Sequence, residues 1–124
     1  MTLINASDYT RASQYMDTVA DKMESAEVEF EAMLFYASTS QEALLSQKWT
    51  ETADLYAKSY RNISLAYTEY AYQLTTHEPG LLNLVRYNYL INIANSYSAN
   101  ANESRKQAAA IGDNITFEVP ASTQ

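Results

Sequence analysis

Residues able to carry out chemistry are few in this sequence. It has 124 residues, no cysteine and a single histidine, His77. Cysteine and histidine supply most protein nucleophiles, general bases and transition-metal ligands, so thiolate chemistry is excluded and imidazole chemistry depends on one side chain. A Ser-His-Asp triad would have to use His77, and the sequence contains no Gly-x-Ser-x-Gly nucleophile turn.

The remaining common motifs are missing as well. With only two glycines, the chain cannot form a glycine-rich loop that holds a phosphate group. A di-iron carboxylate bundle needs two Glu-x-x-His pairs, and one histidine cannot supply them. His77 is better interpreted as the end of a helix, where a protonatable group interacts favourably with the helix dipole. We therefore predict that the protein is not an enzyme and carries no metal or other cofactor.

The acidic residues are arranged with a regular spacing. Asp17, Glu24 and Glu31 recur every seven residues, which places them on one face of a helix. Successive members lie about 10 Å apart at 1.5 Å per residue, too far for them to share one calcium ion. We expect a solvent-facing acidic surface opposite the apolar stripe of that helix.

The net charge is confined to one part of the chain. Residues 1–54 hold 10 acidic and 3 basic side chains, whereas residues 55–124 hold five of each, and the total is −7. Nucleic acids and anionic membranes attract clustered Lys and Arg, so neither is expected as a partner. No apolar run approaches the ~20 residues that span a bilayer, so membrane insertion is not expected either.

Apolar spacing predicts long helices. Glycine and proline occur only at residues 79, 80, 112 and 120, and apolar residues recur at intervals of three and four on both sides of Pro79. We predict an all-α, up-down-up antiparallel three-helix bundle with helices over 8–37, 40–76 and 81–111 and packing close to that of a coiled coil. Thr39 and Glu42 have the spacing of a capping box for the second helix, although a break between Ser46 and Trp49 is the alternative. Gly112 is expected to cap the third helix.

The two termini differ from the helical part. Residues 115–119 alternate apolar and polar side chains, and residues 2–4 are also β-prone, so the chain divides into an N-terminal arm (1–7), a bundle (8–112) and an extended C-terminal arm (113–124). In a three-helix bundle these arms lie at opposite ends, about 45 Å apart for a 30-residue helix. They could pair only between molecules, which predicts partner contacts at Ile115, Phe117 and Val119.

Two other features are candidates for partner contact. Val28 and Phe35 lie outside the apolar stripe of the first helix, so they either widen the core or form an exposed patch. The 11 tyrosines are the second feature, since a buried tyrosine needs a partner for its hydroxyl and suits half-buried positions. Their roles are left open among core packing, contact with a partner and stacking on a ligand.

Four Asn-x-Ser/Thr sequons begin at Asn5, Asn62, Asn102 and Asn114. About 1.7 would arise by chance from this composition, so the excess is mild, and it favours an extracellular or cell-surface location over a cytoplasmic one by a small margin. These asparagines are predicted glycosylation sites.

Together these features predict a non-enzymatic helical module for structure or protein interaction, whose partner is another protein or copies of itself in a filament or oligomer. The alternative is an extracytoplasmic helical-bundle sensor that binds a small ligand between its tyrosine-lined helices.

Overall fold

Three long helices account for almost all of residues 5–115, which are the residues described by the computed structural model. Helix α1 spans Ala6–Met33, α2 spans Ser40–Thr76 and α3 spans Val85–Asp113. Short 3₁₀ turns at Leu34–Tyr36 and Pro79–Leu81 precede α2 and α3, and no strand occurs within 5–115. The predicted all-α three-helix bundle is therefore confirmed, while the predicted arms lie mostly outside the described range.

The predicted start of α2 is also confirmed. The Thr39 hydroxyl accepts a hydrogen bond from the Glu42 amide at 3.1 Å, and the Glu42 carboxylate accepts one from the Thr39 amide at 3.2 Å. This capping box satisfies two amides that the first turn leaves without helical partners. The alternative break between Ser46 and Trp49 is wrong, because α2 passes through both residues.

Helix α1 differs from its predicted range at both ends. It begins at Ala6 because Asn5 and Asp8 form a second capping box, with distances of 3.1 and 3.2 Å, which the sequence analysis did not identify. It ends at Met33 rather than at residue 37, because the backbone tightens into the 3₁₀ turn before it becomes extended at Ala37. The chain thereby reverses direction towards α2.

Helix α3 begins four residues later than predicted. Pro79–Leu81 form their own 3₁₀ turn and Leu82 is extended, so the helix starts at Val85, whose amide donates to the Asn83 side chain at 3.1 Å. The predicted glycine cap at Gly112 is wrong, since no residue in the described range has a positive φ angle. The helix ends at Asp113, and Asn114 caps it by donating its side-chain amide to the Ala110 carbonyl at 3.0 Å.

Helix α2 is the centre of the bundle. It packs against α1 and α3 in antiparallel fashion, whereas the backbones of α1 and α3 hardly approach within 8 Å of each other. Ser64 contacts α1 and Ser59 contacts α3. Because these two residues are five positions apart and each position turns a helix by 100°, their side chains leave α2 in directions about 140° apart. The three helices therefore form an open arc, with a groove along α2 between the outer two.

Small side chains fill both helix interfaces. The buried apolar residues are Leu90 and eight alanines: Ala20, Ala53, Ala57, Ala66, Ala71, Ala94, Ala101 and Ala108. Buried hydroxyls bond across the interfaces: Ser13 with Ser64 at 2.9 Å, and Ser59 to the Ala94 carbonyl at 2.8 Å. No buried side-chain nitrogen or oxygen in the described part of the chain lacks a hydrogen-bond partner. Small residues let the helices approach closely, and the bonded hydroxyls remove the cost of burying polar groups.

Larger apolar side chains of the predicted stripes are displaced to the edges of these interfaces. On α2, Trp49, Tyr56, Tyr60 and Tyr67 project between the directions of α1 and α3 and are half-buried in the groove.

None of the helices over residues 5–115 combines the length and the apolar character that a membrane span requires.

Candidate functional site

A group of exposed apolar residues lies where α1 ends and the chain turns towards α2. We call it the turn surface, and it consists of Val28, Met33, Leu34, Phe35 and Tyr36. Phe35 and Tyr36 are 87% and 85% exposed, and Val28 is 65% exposed. Beside them Met33, Tyr36 and Leu45 line a hollow of about 250 Å³. Large apolar side chains that expose so much area mark contact surfaces more often than isolated exposed leucines do.

Val28 and Phe35 were predicted either to widen the core or to form an exposed patch. Neither side chain enters the core, so the first alternative is wrong. Phe35 lies in the 3₁₀ turn that follows α1, outside the helices that pack against each other, and is 87% exposed. Contact with a partner remains a prediction for both residues.

Carboxylates surround the turn surface. Residues 23–47 contain five acidic side chains and no basic one. Glu27, Glu31, Glu51 and Asp54 line a second hollow of about 440 Å³, together with Leu34. Partial burial raises the pKa of Glu27, and the negative charges of Asp54, Glu31 and Glu24 raise it further, while Lys58 opposes the shift. Lys48 pairs with Glu51 at 3.4 Å and Lys58 pairs with Asp54 at 2.9 Å, so Glu27 and Glu31 are the lining carboxylates without an ion pair among the described residues.

The other acidic residues on this side of α1 are exposed to solvent but form ion pairs. Arg61 of α2 reaches across the interface and forms ion pairs with Asp17 at 3.1 Å, with Glu24 at 3.2 Å and with Asp21. The hydrogen bond to Asp21, with those to Asp17 and Glu24, raises the pKa of the guanidinium above its usual value. The predicted acidic surface does face solvent, but it flanks α2 and pairs with Arg61 rather than lying opposite the packed side of α1.

No three His, Asp or Glu side chains in residues 5–115 converge in a way that could hold a metal ion. His77 ends α2 as predicted: its amide donates to the Gln73 carbonyl at 3.0 Å, and its Nδ1 shares a hydrogen bond with the Thr76 hydroxyl at 2.8 Å. Its exposed ring has no carboxylate within ion-pair distance among the described residues.

A second aromatic cluster lies at the opposite end of the bundle. We call it the tyrosine cluster: Tyr9 of α1, Tyr67 and Tyr70 of α2 and Tyr87 of α3. The ring centre of Tyr9 is 5.6 Å from that of Tyr67 and 4.4 Å from that of Tyr70, and Tyr70 is 5.1 Å from Tyr87. All four side chains are half-buried, so three helices meet through one set of rings. Aromatic pairs at these distances and tilts are favourable.

The tyrosine cluster borders a cavity of about 370 Å³, lined by Asp8, Tyr9, Ala12, Tyr67 and Tyr87. Burial is the main cause that raises the pKa of Tyr9 and of Tyr87, and the neighbouring tyrosines contribute. Both phenols are therefore neutral at physiological pH, and both residues line the cavity.

The other predicted site residues lie apart from both clusters. Ile115 is half-buried and its amide donates to the Gly112 carbonyl at 3.2 Å, while Phe117 and Val119 lie outside the described residues. Among the sequon asparagines, Asn5 and Asn114 cap helices, Asn62 is half-buried on α2, and Asn102 on α3 accepts a hydrogen bond from the Tyr56 hydroxyl. Glycosylation of the four remains a prediction.

Sequence reasoning missed the two residues that organise these surfaces, Arg61 and Asp8. Arg61 is one of only five basic residues in 55–124, yet nothing in its spacing indicated that it would face α1. Asp8 follows Asn5 by three residues, the spacing of a capping pair, and this signal could have been recognised.

No protein-family model matches this sequence, and neither a curated protein nor a solved structure matches it.

Proposed function

We propose that the protein is a non-enzymatic helical module that binds other protein chains, copies of itself included, and that the turn surface is its main contact. The observation that supports this proposal is the distribution of side-chain size. Eight of the nine buried apolar residues in the described range are alanines, whereas twelve large apolar side chains are exposed. Burial of large apolar area drives most protein association, and this molecule leaves that area available.

The chemistry of the turn surface favours a basic partner segment with apolar side chains of its own. Phe35 and Tyr36 offer aromatic area, and residues 23–47 contain five carboxylates, of which Glu24 alone forms an ion pair among the described residues, with Arg61 of α2. A partner that presents Lys or Arg beside apolar groups would satisfy both features, and charge complementarity would speed the encounter.

Binding of a designed peptide tests this preference. The probe is a synthetic amphipathic helix with leucine on one face and lysine on the other, and the control peptide carries glutamate instead of lysine. We expect the lysine peptide alone to bind, more weakly at higher salt, as measured by fluorescence anisotropy. Equal binding of both peptides would contradict the charge argument.

Matched substitutions test the location. Phe35→Gln should weaken binding of the peptide and any self-association of the full chain, as followed by sedimentation velocity across a range of concentrations. Leu65→Gln is the control, because Leu65 is also exposed but lies in the middle of α2. If Leu65→Gln weakened peptide binding and self-association as much as Phe35→Gln, the contact would not be specific to the turn surface.

Self-assembly through the terminal arms is a separate part of the proposal. Pairing of residues 2–4 with residues 115–119 of the next molecule would be head-to-tail, so it would give rings or filaments rather than a closed dimer. Because α3 extends to Asp113 and Asn114 caps it, the informative deletion removes residues 116–124 and spares the cap. We expect this deletion to abolish assembly and to leave helicity unchanged. An unchanged sedimentation profile after the deletion would contradict assembly through the arms.

The cavity beside the tyrosine cluster favours a second candidate function, a bundle that binds a small ligand. Side chains from all three helices line this cavity of about 370 Å³, which is open to solvent and within the size range of small-molecule sites. A ligand that binds only the folded state should raise Tm by mass action, so a thermal-shift screen tests this candidate.

A further inference from the structure

We propose that the cavity beside the tyrosine cluster is a site for an organic cation, namely a quaternary or alkylated ammonium group. The inference rests on the second candidate function and names the chemical class of its ligand. It is independent of the contact proposed at the turn surface, which lies at the other end of the molecule.

The first support is the set of aromatic rings around one cavity. Tyr9, Tyr67 and Tyr87 come from three different helices and all line it, with Ala12 as a small residue that leaves space between them. Aromatic faces attract cations through their quadrupole, and several rings around one space form the cage that recognises alkylated ammonium groups. A volume of about 370 Å³ leaves room for a trimethylammonium group with a short attached chain.

The second support is the charge of the lining. Asp8 is its one ionisable carboxylate, and neither Lys nor Arg is among the lining residues. The cation–π pair found in residues 5–115 joins the Lys58 Nζ to the Tyr97 ring, with 5.9 Å between the nitrogen and the ring centre. Among the described residues, the rings of Tyr9, Tyr67 and Tyr87 therefore have no cation from the protein over them. A cation that enters the cavity would meet π faces on several sides and a negative charge on another.

An anion would be the competing ligand, because the cavity lies near the beginning of α1 and helix N-termini attract negative charge. The N-terminus of α1 already has a negative charge beside it within the protein. Asp8 places a carboxylate in the first turn, and its oxygen accepts the hydrogen bond from the Asn5 amide at 3.2 Å. An added anion would be repelled by Asp8 and would face electron-rich rings.

The experiment is an NMR titration of the isotope-labelled full chain with choline chloride. The comparison ligand is 3,3-dimethylbutan-1-ol, which has the same shape as choline but a neutral carbon in place of nitrogen. We expect choline to shift the amide signals of Asp8, Ala12 and Tyr67, with a dissociation constant at least about tenfold lower than that of the neutral compound. Sodium chloride at equal ionic strength controls for salt.

Three variants locate the effect. Tyr67→Leu removes one ring face and should abolish the preference for choline, whereas Tyr67→Phe keeps the face and should retain it. Asp8→Asn removes the charge but keeps an oxygen for the capping box, and should weaken choline binding severalfold. Tyr89→Leu is the control, because Tyr89 is exposed and does not line this cavity. Circular dichroism confirms that each variant is folded.

The outcomes separate this inference from the function on which it rests. Equal affinity for choline and the neutral compound would overturn the cation site and leave a ligand-binding cavity. Loss of binding in Tyr67→Phe as complete as in Tyr67→Leu would overturn the role of the ring face. Absence of any localised shift with either compound would overturn both the inference and the second candidate function.

Discussion

Both ends of the bundle are rich in aromatic residues, but the burial of these residues differs between the two ends. Tyr9, Tyr70 and Tyr87 are half-buried against one another, whereas Phe35 and Tyr36 at the other end are almost fully exposed. Helix α3 passes both ends, so its presence alone does not explain the contrast.

The difference follows from where the rings lie in the chain: Tyr9, Tyr70 and Tyr87 belong to packed helices, whereas Phe35 and Tyr36 belong to the 3₁₀ turn between α1 and α2. At its beginning α3 carries Tyr87, which packs against Tyr70 of α2, and Leu90, which is buried. Near its end it carries alanines at residues 108–110, and Gly112 lies next to Leu45. Small side chains allow close approach of the backbones but cover little of a neighbour. At the turn end, Phe30 of α1 and Trp49 of α2 are still half-buried and stack with ring centres 5.8 Å apart, so the exposed rings there are those of the 3₁₀ turn.

The largest expected effect compares one aromatic truncation at each end. Tyr70→Ala should lower the free energy of unfolding by about 2 kcal/mol, less than the ~3–5 kcal/mol of a fully buried aromatic residue, because Tyr70 is half-buried between Tyr9 and Tyr87. Phe35→Ala should change it by less than about 0.5 kcal/mol. Urea unfolding followed by circular dichroism measures both values. Tyr70→Phe, which keeps the ring, should resemble the wild-type protein, and a large loss in Phe35→Ala would mean that this ring is covered.

A smaller effect compares the two capping boxes, which lie at opposite ends. Asn5→Ala and Thr39→Ala each remove the side chain that accepts from the third amide of a helix, so each should cost about 1 kcal/mol. The two variants should differ in where along the chain hydrogen exchange becomes faster. Hydrogen exchange should speed up at the start of α1 in the first variant and at the start of α2 in the second. Asn5→Ser and Thr39→Ser, which can still cap, are the controls, and a loss as large in them would argue against capping as the cause.

The smallest expected effect concerns pH at the acidic hollow beside the turn surface. The pKa of Glu27 is raised in the folded state, so folding favours its protonated form. Glu27 therefore destabilises the fold increasingly as pH rises from below its unfolded pKa to above its folded pKa. At pH 7, Glu27→Gln should raise Tm, on the order of 2 °C, and the gain should shrink as pH falls towards 4. Glu29→Gln is the control, since Glu29 is exposed outside the hollow, and an equal gain there would indicate a general charge effect.

Much of the helical pattern was predictable because its causes are local. Scarce glycine and proline and the apolar spacing indicated three helices, and the Thr39–Glu42 pair located the start of α2. The boundaries at Met33 and Val85 were missed, because a 3₁₀ turn and a helix have similar local composition. The glycine cap was missed for a related reason: Gly112 is compatible with a left-handed conformation, but Asn114 caps the helix without one.

The sequence by itself determined that this chain forms long antiparallel helices, because helical periodicity and capping depend on residues within a few positions of one another. Only the tertiary structure decided which faces of those helices meet. The apolar stripes suggested that large residues would fill the interfaces, yet alanine and serine occupy them, since these let α2 approach both neighbours while the serines bond across. The tertiary structure leaves the turn surface exposed and brings Arg61 to the acidic row. It also assembles the tyrosine cluster from residues up to 78 positions apart, a distance over which no local pattern carries information.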